Sequence, residues 1–390
     1  MIIFDFFLII VGGYLTLYVL YCLMLFAAHL FIKREGIPSY PPKVRLGIII
    51  PAHNEELFLG ELLKSVNRQS YPSDMFKAIV VADNCTDQTA QIGLANKAIV
   101  MERFDNQYRG KGYAIKHALE KFDRESYDAM LIVDADSIMS KDVLQWLNQA
   151  ILEGSNAIQC YNGVANPEES WFTRLLDVSR TVGNEIYHPA KQRLGLSSYL
   201  MGNGMCFSKD LLLKYGWDAF TIGEDWEYYA KIINNGESVA YSWEAKIYHL
   251  ESSRLRQATP QRMRWSSGRF AIAFRYGFGI FFSGIIKRDI KKIDASTPLI
   301  FPNPSLGMNI TIFGFILSYL LSKPHWVEWF LALILIQIAV FCFGIIYTKN
   351  RLSKVISIFV TPLFLLWKLV IDIFAILGFG GKKWVRTERN

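Results

Sequence analysis

The sequence is poor in the residues that staple or metallate small domains. It has five cysteines in 390 residues. Cys22, Cys85, Cys160, Cys206 and Cys342 show no C-x-x-C spacing. That pattern excludes a disulfide framework and a cysteine zinc site, and it fits a reducing compartment. Six histidines show no metal-ligand spacing, and His188 and His249 read as structural. No internal repeat or low-complexity tract is evident. The first residues lack a basic n-region and a small-residue cleavage site, so the apolar run there does not read as a signal peptide.

What the chain has in excess is apolar surface. Hydrophobic residues make up 52% of it and aromatic residues 14%, too apolar for one ordinary soluble domain. Ile2 to Ile32 is broken only by Asp5 and His29, and it is long enough to span a bilayer. Lys33 and Arg34 follow, which puts the N-terminus outside and the next segment in the cytoplasm. The formal net charge of +7 then reads as cytoplasmic-side Lys and Arg rather than nucleic-acid binding. Gly36 to Pro42 carries three prolines and reads as a linker.

Val44 to about Glu251 reads as one α/β domain. Leu46 to Ile50, Ala78 to Ala82, Ala98 to Glu102 and Met130 to Val133 are short apolar strands. Helical stretches separate them, one from Glu55 to about Asn67 and one opening at Arg109-Gly-Lys111-Gly112. Such alternation predicts a mainly parallel, doubly wound sheet. Ligands gather at the carboxyl ends of its strands, and those ends carry Glu55, Asp83, Asp134 and Asp136. Asp134 and Asp136, one residue apart on an extended segment, point the same way. Together they suit one hard cation, Mg²⁺ or Mn²⁺. Alone, Asp-x-Asp reads equally as a solvated turn. Trp171 to Tyr187 looks helical. Met201 to Phe207 is glycine-rich, as where backbone approaches a ligand. Gly223-Glu224-Asp225-Trp226 opens a helix that stops at Asn235-Gly236, where acidic residues also suit the helix dipole. Asp87 reads as a helix cap.

Past this domain, Phe270 to Ile286 is apolar but interrupted by Arg275, and it reads as an interfacial helix. About Leu306 to Leu321 and Trp326 to Tyr347 form a hairpin of two spans. Val355 to Phe379 contains Pro362, Lys368 and Asp372 and reads as in-plane or re-entrant rather than spanning. The expected organisation is therefore an N-terminal transmembrane helix at 1–35, a catalytic domain at 43–251, interfacial helices at 252–298, a transmembrane hairpin at 299–348, and a membrane segment with a basic cytoplasmic tail at 349–390.

Five motifs stand in one order: Ile50-Pro-Ala-His-Asn-Glu55-Glu56, Val81-Ala-Asp83-Asn84, Asp134-Ala-Asp136, Glu224-Asp225 and Gln261-x-x-Arg264-Trp265. With membrane segments on both sides, the series resembles the membrane-bound family 2 glycosyltransferases. Relatives include cellulose, chitin, hyaluronan and poly-N-acetylglucosamine synthases and smaller bacterial exopolysaccharide transferases. The resemblance covers roughly residues 44 to 270. It implies a GT-A fold, a nucleoside-diphosphate sugar donor, usually a UDP-sugar, and a divalent metal. It places Asp83 on the nucleotide base with Glu55 nearby, Asp134 and Asp136 on the metal-diphosphate, and Arg264 on the diphosphate. Lys111 is a further nucleotide or phosphate contact. Asp225, beside Glu224, becomes the general base, although the family's preceding Thr is Gly223 here. Gln261 and Trp265 would face the acceptor, with Asn203 on that side as well. Arg262 reads as snorkelling or solvated.

The expected reaction is inverting transfer, giving β-linked sugars, to a growing polysaccharide at the cytoplasmic face of a bacterial inner membrane. Single-sugar transfer to a lipid-linked acceptor is the alternative. Expected partners are the nucleotide-sugar donor, the acceptor, the bilayer and either export proteins or further copies of the chain. Two readings from other classes compete. A membrane nucleotidyl- or phosphotransferase leaves Gln-x-x-Arg-Trp unexplained. A non-catalytic export subunit would be marked by loss of Asp136 or Asp225, and both are present.

Overall fold

The computed structural model describes residues 2–32, 36, 38–121 and 126–380. Lys33, Arg34 and the basic tail from Lys382 lie outside them. Helix α1 (Ile2–His29) leads into the α/β domain. That domain comprises β1 (Leu46–Ala52), α2 (Leu59–Asn67), β2 (Phe76–Asp83), α3 (Thr89–Ala95), β3 (Ile99–Arg103), α4 (Lys111–Lys121), β4 (Ala129–Ile132), β5 (Ser137–Met139), α5 (Val143–Leu152), β6 (Ala157–Val164), α6 (Trp171–Thr181), α7 (His188–Arg193), β7 (Met205–Ser208), α8 (Lys209–Tyr215), α9 (Glu224–Asn234) and β8 (Val239–His249).

The strands form one sheet in the order β3-β2-β1-β4-β7-β6-β8-β5. The first four pair in parallel, as the alternating pattern predicts. From β7 onward the sheet is mixed: β7 runs antiparallel to both β4 and β6, and β5 antiparallel to β8, while β6 and β8 are parallel. The expectation of a mainly parallel sheet therefore holds for the first half only. Both faces of the sheet are covered. Leu46, Ile48 and Ile50 of β1 pack under α2 and α5. Ile49, pointing the other way, packs with Ile115 of α4 and Tyr228 of α9. Burial on both faces explains why β1 reads as a continuous apolar run rather than an alternating one.

Helix α2 begins at Leu59, later than expected, because Glu55 to Phe58 forms a turn first. The helix at 171 ends at Thr181 and passes through a π-helical segment, Val182–Tyr187, into α7. Beyond β8, α10 (Leu255–Ile272) continues through a π-helical segment, Ala273–Gly277, into α11 (Phe278–Lys287). Then come α12 (Ile290–Ile300), α13 (Pro304–Leu320), α14 (Pro324–Gly344), α15 (Arg351–Ile358) and α16 (Thr361–Ile376).

By length and composition, three helical stretches among the described residues could cross a membrane: Phe4–His29, Leu255–Lys287 and Pro324–Tyr347. The count rises to five if each bent pair is one span: α12 with α13 turns by 71°, and α15 with α16 by 66°. Phe270 to Ile286 is thus part of a longer helix. The sharp bend before α16 matches a broken or re-entrant segment. Helix α1 is fastened to the later helices: the Tyr21 hydroxyl donates to Asp294 at 2.6 Å and the Tyr14 hydroxyl to the Ile300 carbonyl at 2.7 Å.

Candidate active site

The carboxyl ends of β1, β2 and β4 open onto a cavity of about 940 Å³. Asp83, Glu55, Asp134, Asp136, Glu224 and Asp225 all line it, as do Lys111, Gln261, Arg264 and Trp265. Lys111 opens α4, Glu224 and Asp225 open α9, and Gln261, Arg264 and Trp265 lie on α10.

Asp134 and Asp136 sit in a tight turn between β4 and β5, closed by the Ser137 N–H donating to the Asp134 carbonyl at 3.1 Å. They are not on a continuous extended strand, as the spacing had suggested. Lys111 bridges the acids: its Nζ lies 2.6 Å from Asp134 Oδ1 and 3.5 Å from Glu224 Oε1, and it donates to the Gly202 carbonyl. Burial alone would lower the Lys111 ammonium. The carboxylates of Asp134, Glu224 and Asp225 outweigh it and hold the group above its ordinary value, hence charged.

Glu224 and Asp225 open α9. Burial raises both carboxyls, and their mutual repulsion adds to it at Asp225, while Lys111 pulls the other way. Asp225 is pushed up to about 7. A carboxylate with that value is half-ionised near neutral pH, where a general base works best. Two contacts fix its place. Gly202, at φ +79°, lies so close that a Cβ there would sit 3.2 Å from Asp225 Oδ2. The start of α9 is also pressed against α10: a Cβ on Gly268 would fall 2.8 Å from the Gly223 nitrogen, and one on Gly223 would fall 3.0 Å from the Gly268 carbonyl carbon. With glycine at both positions the two backbones can meet.

Asp83 lies at the end of β2. Its carboxylate accepts from Arg103 at 2.7 Å and from the Asn84 amide at 2.9 Å. Burial raises it and Arg103 opposes the rise. The loops after β1 and β2 are cross-linked by the Thr86 N–H donating to Asn54 Oδ1 at 2.7 Å. Asn54 and Asn84 both adopt left-handed backbone, at φ 57° and 52°, which asparagine tolerates well. Asp87 accepts from the Thr89 N–H at 3.0 Å, one residue ahead of the α3 N-cap, Gln88, which makes no side-chain cap bond.

Two expectations fail. Asn203 does not face the acceptor side. It is 2% exposed. Its Oδ1 accepts from the Asp134 N–H at 3.1 Å, and its Nδ2 donates to Ser137 Oγ at 3.1 Å. Its amide has the two-sided donor and acceptor set needed to brace the Asp134 turn from beneath. Arg262 is not solvated either. It lies on buried Glu251 at 2.6 Å and its guanidinium stacks 4.6 Å from the centre of the Trp265 ring. The partners of that network, Arg180, His249 and Glu251, were missed. Their contacts with one another span up to 71 residues of chain, and only the His249-x-Glu251 spacing at the end of β8 hinted at them.

The donor set for a metal is all oxygen. Among the described residues no group of three or more His, Cys, Asp or Glu gathers to hold an ion. Two carboxylates with open cavity before them fit Mg²⁺ or Mn²⁺, which take few protein ligands and complete their shells with phosphate oxygens and water.

This sheet, with acids at its parallel strand ends and a helix start set against them, defines a GT-A domain. Residues 41–268 match the family described as "Glycosyltransferase like family 2". The match covers more than half of the chain, and the chain belongs to this family. A Bacillus subtilis (strain 168) protein described as "Probable glycosyltransferase YdaM" is 23% identical over 252 residues, covering 62% of this chain and 59% of that protein. The 4,4'-diaponeurosporenoate glycosyltransferase of Staphylococcus aureus is 32% identical over 148 residues, 36% of this chain and 38% of that one. The chain thus spans less than two thirds of these relatives' own lengths. A solved structure, the mannosyltransferase PcManGT from Pyrobaculum calidifontis in complex with GDP-Man and Mn²⁺, superposes with a TM-score of 0.57 at 18% identity. It covers 94% of this chain and 99% of that one, and the likeness is one of fold.

Proposed function

We propose that the protein is an inverting glycosyltransferase that moves a sugar from a nucleoside-diphosphate sugar to an acceptor hydroxyl at the cytoplasmic membrane face. The observation that carries this reading is the placement of Asp225, opening α9 beside Gly202 inside the cavity that Asp134 and Asp136 also line. In this reading Asp83 and Glu55 bind the nucleoside end of the donor. Arg264 and Lys111 balance the diphosphate. Asp134 and Asp136 would hold a divalent cation, which supplies neutralisation of the leaving diphosphate. Asp225 takes the acceptor proton as the oxygen attacks the anomeric carbon from the face opposite the leaving group. One displacement of that kind inverts the centre and gives a β-linkage from an α-linked donor.

The relatives support a sugar donor, and the fold neighbour was solved with GDP-Man and Mn²⁺. The base of the donor is therefore tested, not assumed to be uracil. Extension of a polysaccharide is one use of such a site. Single-sugar transfer to a lipid-linked acceptor is favoured by a specific observation: the cavity continues from the acids to aliphatic residues of α1, α13, α14 and α16.

The deciding experiment is nucleoside-diphosphate release by the full chain in detergent across UDP- and GDP-sugars, with Mg²⁺, Mn²⁺ or EDTA. Donor-specific release that requires metal and collapses in Asp225→Asn supports the proposal. Release indifferent to Asp225→Asn removes the assigned base. Absence of release with every donor and added membrane lipid returns the chain to the export-subunit reading.

A further inference from the structure

The cavity has two walls of opposite charge. The acids described above stand on the sheet side. On the other side Arg180 of α6 and Arg262 of α10 both line it, and both rest on one carboxylate. Arg180 Nη2 lies 3.1 Å from Glu251 Oε1, and Arg262 Nη2 lies 2.6 Å from Glu251 Oε2. Glu251 is 1% exposed in its side chain, so it stands behind the wall while the guanidiniums face the cavity. Burial would raise that carboxyl, but Arg262, His249 and Arg180 hold it well below the usual carboxylate range. Two guanidiniums on one carboxylate leave one positive charge unbalanced.

One further group at this wall lacks a partner: Arg262 Nε is buried with no hydrogen-bond partner among the described residues. Arg269, farther along α10, is by contrast engaged, its Nη2 donating to the carbonyls of Pro298 and Phe301 at 2.8 and 2.7 Å. The donor reading already accounts for Arg264 and Lys111, and it uses none of these cations. Beyond them the cavity runs between the membrane helices, past Val19, Met308, Ile312, Ile334, Val340 and Leu365. Fixed guanidiniums at the mouth of an aliphatic passage match an amphiphile with an anionic head: paired N–H groups recognise phosphate oxygens, and the passage takes an apolar chain.

We infer that the acceptor is a sugar carried on an anionic lipid, with its phosphate or diphosphate linker on Arg180 and Arg262 and its tail between the membrane helices. The inference rests on the transferase reading above and names its acceptor. The step balances. The acceptor sugar's hydroxyl oxygen bonds to the donor's anomeric carbon, the bond from that carbon to the diphosphate oxygen breaks, the nucleoside diphosphate leaves with the electron pair, and the hydroxyl proton passes to Asp225.

The test is equilibrium binding to the full chain in neutral detergent. The probes are geranylgeranyl phosphate, geranylgeraniol, phosphatidylglycerol and inorganic phosphate. The phosphate-headed isoprenoid should bind about tenfold or more tighter than the alcohol, the worth of one charge-assisted contact. It should also outbind phosphatidylglycerol. Inorganic phosphate should compete only weakly. Arg180→Gln and Arg262→Gln should each erase most of the preference for phosphate over alcohol. They should keep the affinity for the alcohol, which shows that the variant is folded and its passage intact. Equal binding of phosphate and alcohol by the wild type overturns the inference without any variant. So does a preference that survives both substitutions, or inorganic phosphate competing at the concentration of the lipid. Nucleoside-diphosphate release is run on the same preparation. Lipid preference without release from any donor, when an isoprenyl diphosphate bearing a sugar is also supplied, sinks the transferase reading, whereas release without lipid preference sinks only the lipid site.

Discussion

At the residue scale the chemistry turns on how one carboxyl is held. Asp225 is raised by burial first and by Glu224 second, with Lys111 opposing. Replacing it with Asn keeps the shape and removes the proposed base, so transfer should fall by about 10²–10⁴, measured as product formed under saturating donor. The raised value also sets a pH dependence. The base works only when ionised, so kcat/KM should climb with pH through a midpoint near 7 and lose that limb in the variant. The sign for stability is opposite: a carboxyl raised by folding favours the folded state at low pH and gives up that contribution as pH rises through its folded value. Asn203 acts one step back. Its amide bonds the Asp134 N–H and Ser137 Oγ from a buried position. Asn203→Ala leaves both groups unpaired, at a cost of about 1–3 kcal/mol. The expected readouts are a lower unfolding temperature and a several-fold higher Mn²⁺ concentration for half-maximal activity, with the pH midpoint of Asp225 in place. A residue on the acceptor side would instead raise the acceptor KM alone.

At the element scale the packing of α10 on the first turn of α9 is the contact that joins the membrane-side helix to the base. Gly223 and Gly268 meet backbone to backbone. Gly268→Ala puts a methyl 2.8 Å from the Gly223 nitrogen, where neither backbone can yield without moving a helix. Overpacking of this kind costs about 1–3 kcal/mol. Activity should fall more than the unfolding temperature suggests, because the shift moves Asp225 relative to Gln261 and Trp265. A Gly268→Ala protein with full activity would mean that the two helices slide freely. Neither glycine could be singled out in the sequence, since the contact joins positions 45 residues apart. What the sequence did disclose follows the same logic. Strands β1, β2 and β4 are legible because burial on both faces makes them apolar runs ending in polar residues, and the edge strand β3 by its short apolar start. Strands β6 and β8 carry Gln159, Asn162, Lys246 and His249, and their pairing is interrupted by a register shift between Cys160 and Tyr161. Their signal was the alternating burial of β8, which a search for continuous apolar runs passes over. The site acids were legible one by one. The brace under Asp134 and the arginine pair on Glu251 were not, because tertiary contacts alone assemble them.

At the scale of the whole molecule, the α/β domain and the helices long and apolar enough to span a membrane share a cavity, so they should behave as one unit. Three stretches are long and apolar enough to span a bilayer. After expression the full chain should stay in the membrane pellet through alkaline carbonate extraction, and release into the supernatant would remove the spanning reading. The firmest link between the two halves is Lys354 of α15, wholly buried between Glu168 and Asp177 at 2.9 and 3.0 Å. Removing the ammonium leaves two carboxylates facing each other across the gap it filled. Lys354→Met should therefore lower stability by up to about 3 kcal/mol, the lower end for a broken buried pair because Glu168 keeps some solvent contact. Thermal unfolding in detergent reads that loss. Adding Glu168→Gln and Asp177→Asn to the same chain removes the stranded charges and should recover most of it. If the triple variant is no more stable than Lys354→Met, the loss comes from the lysine's packing rather than its charge, and α15 is held to α6 by shape alone.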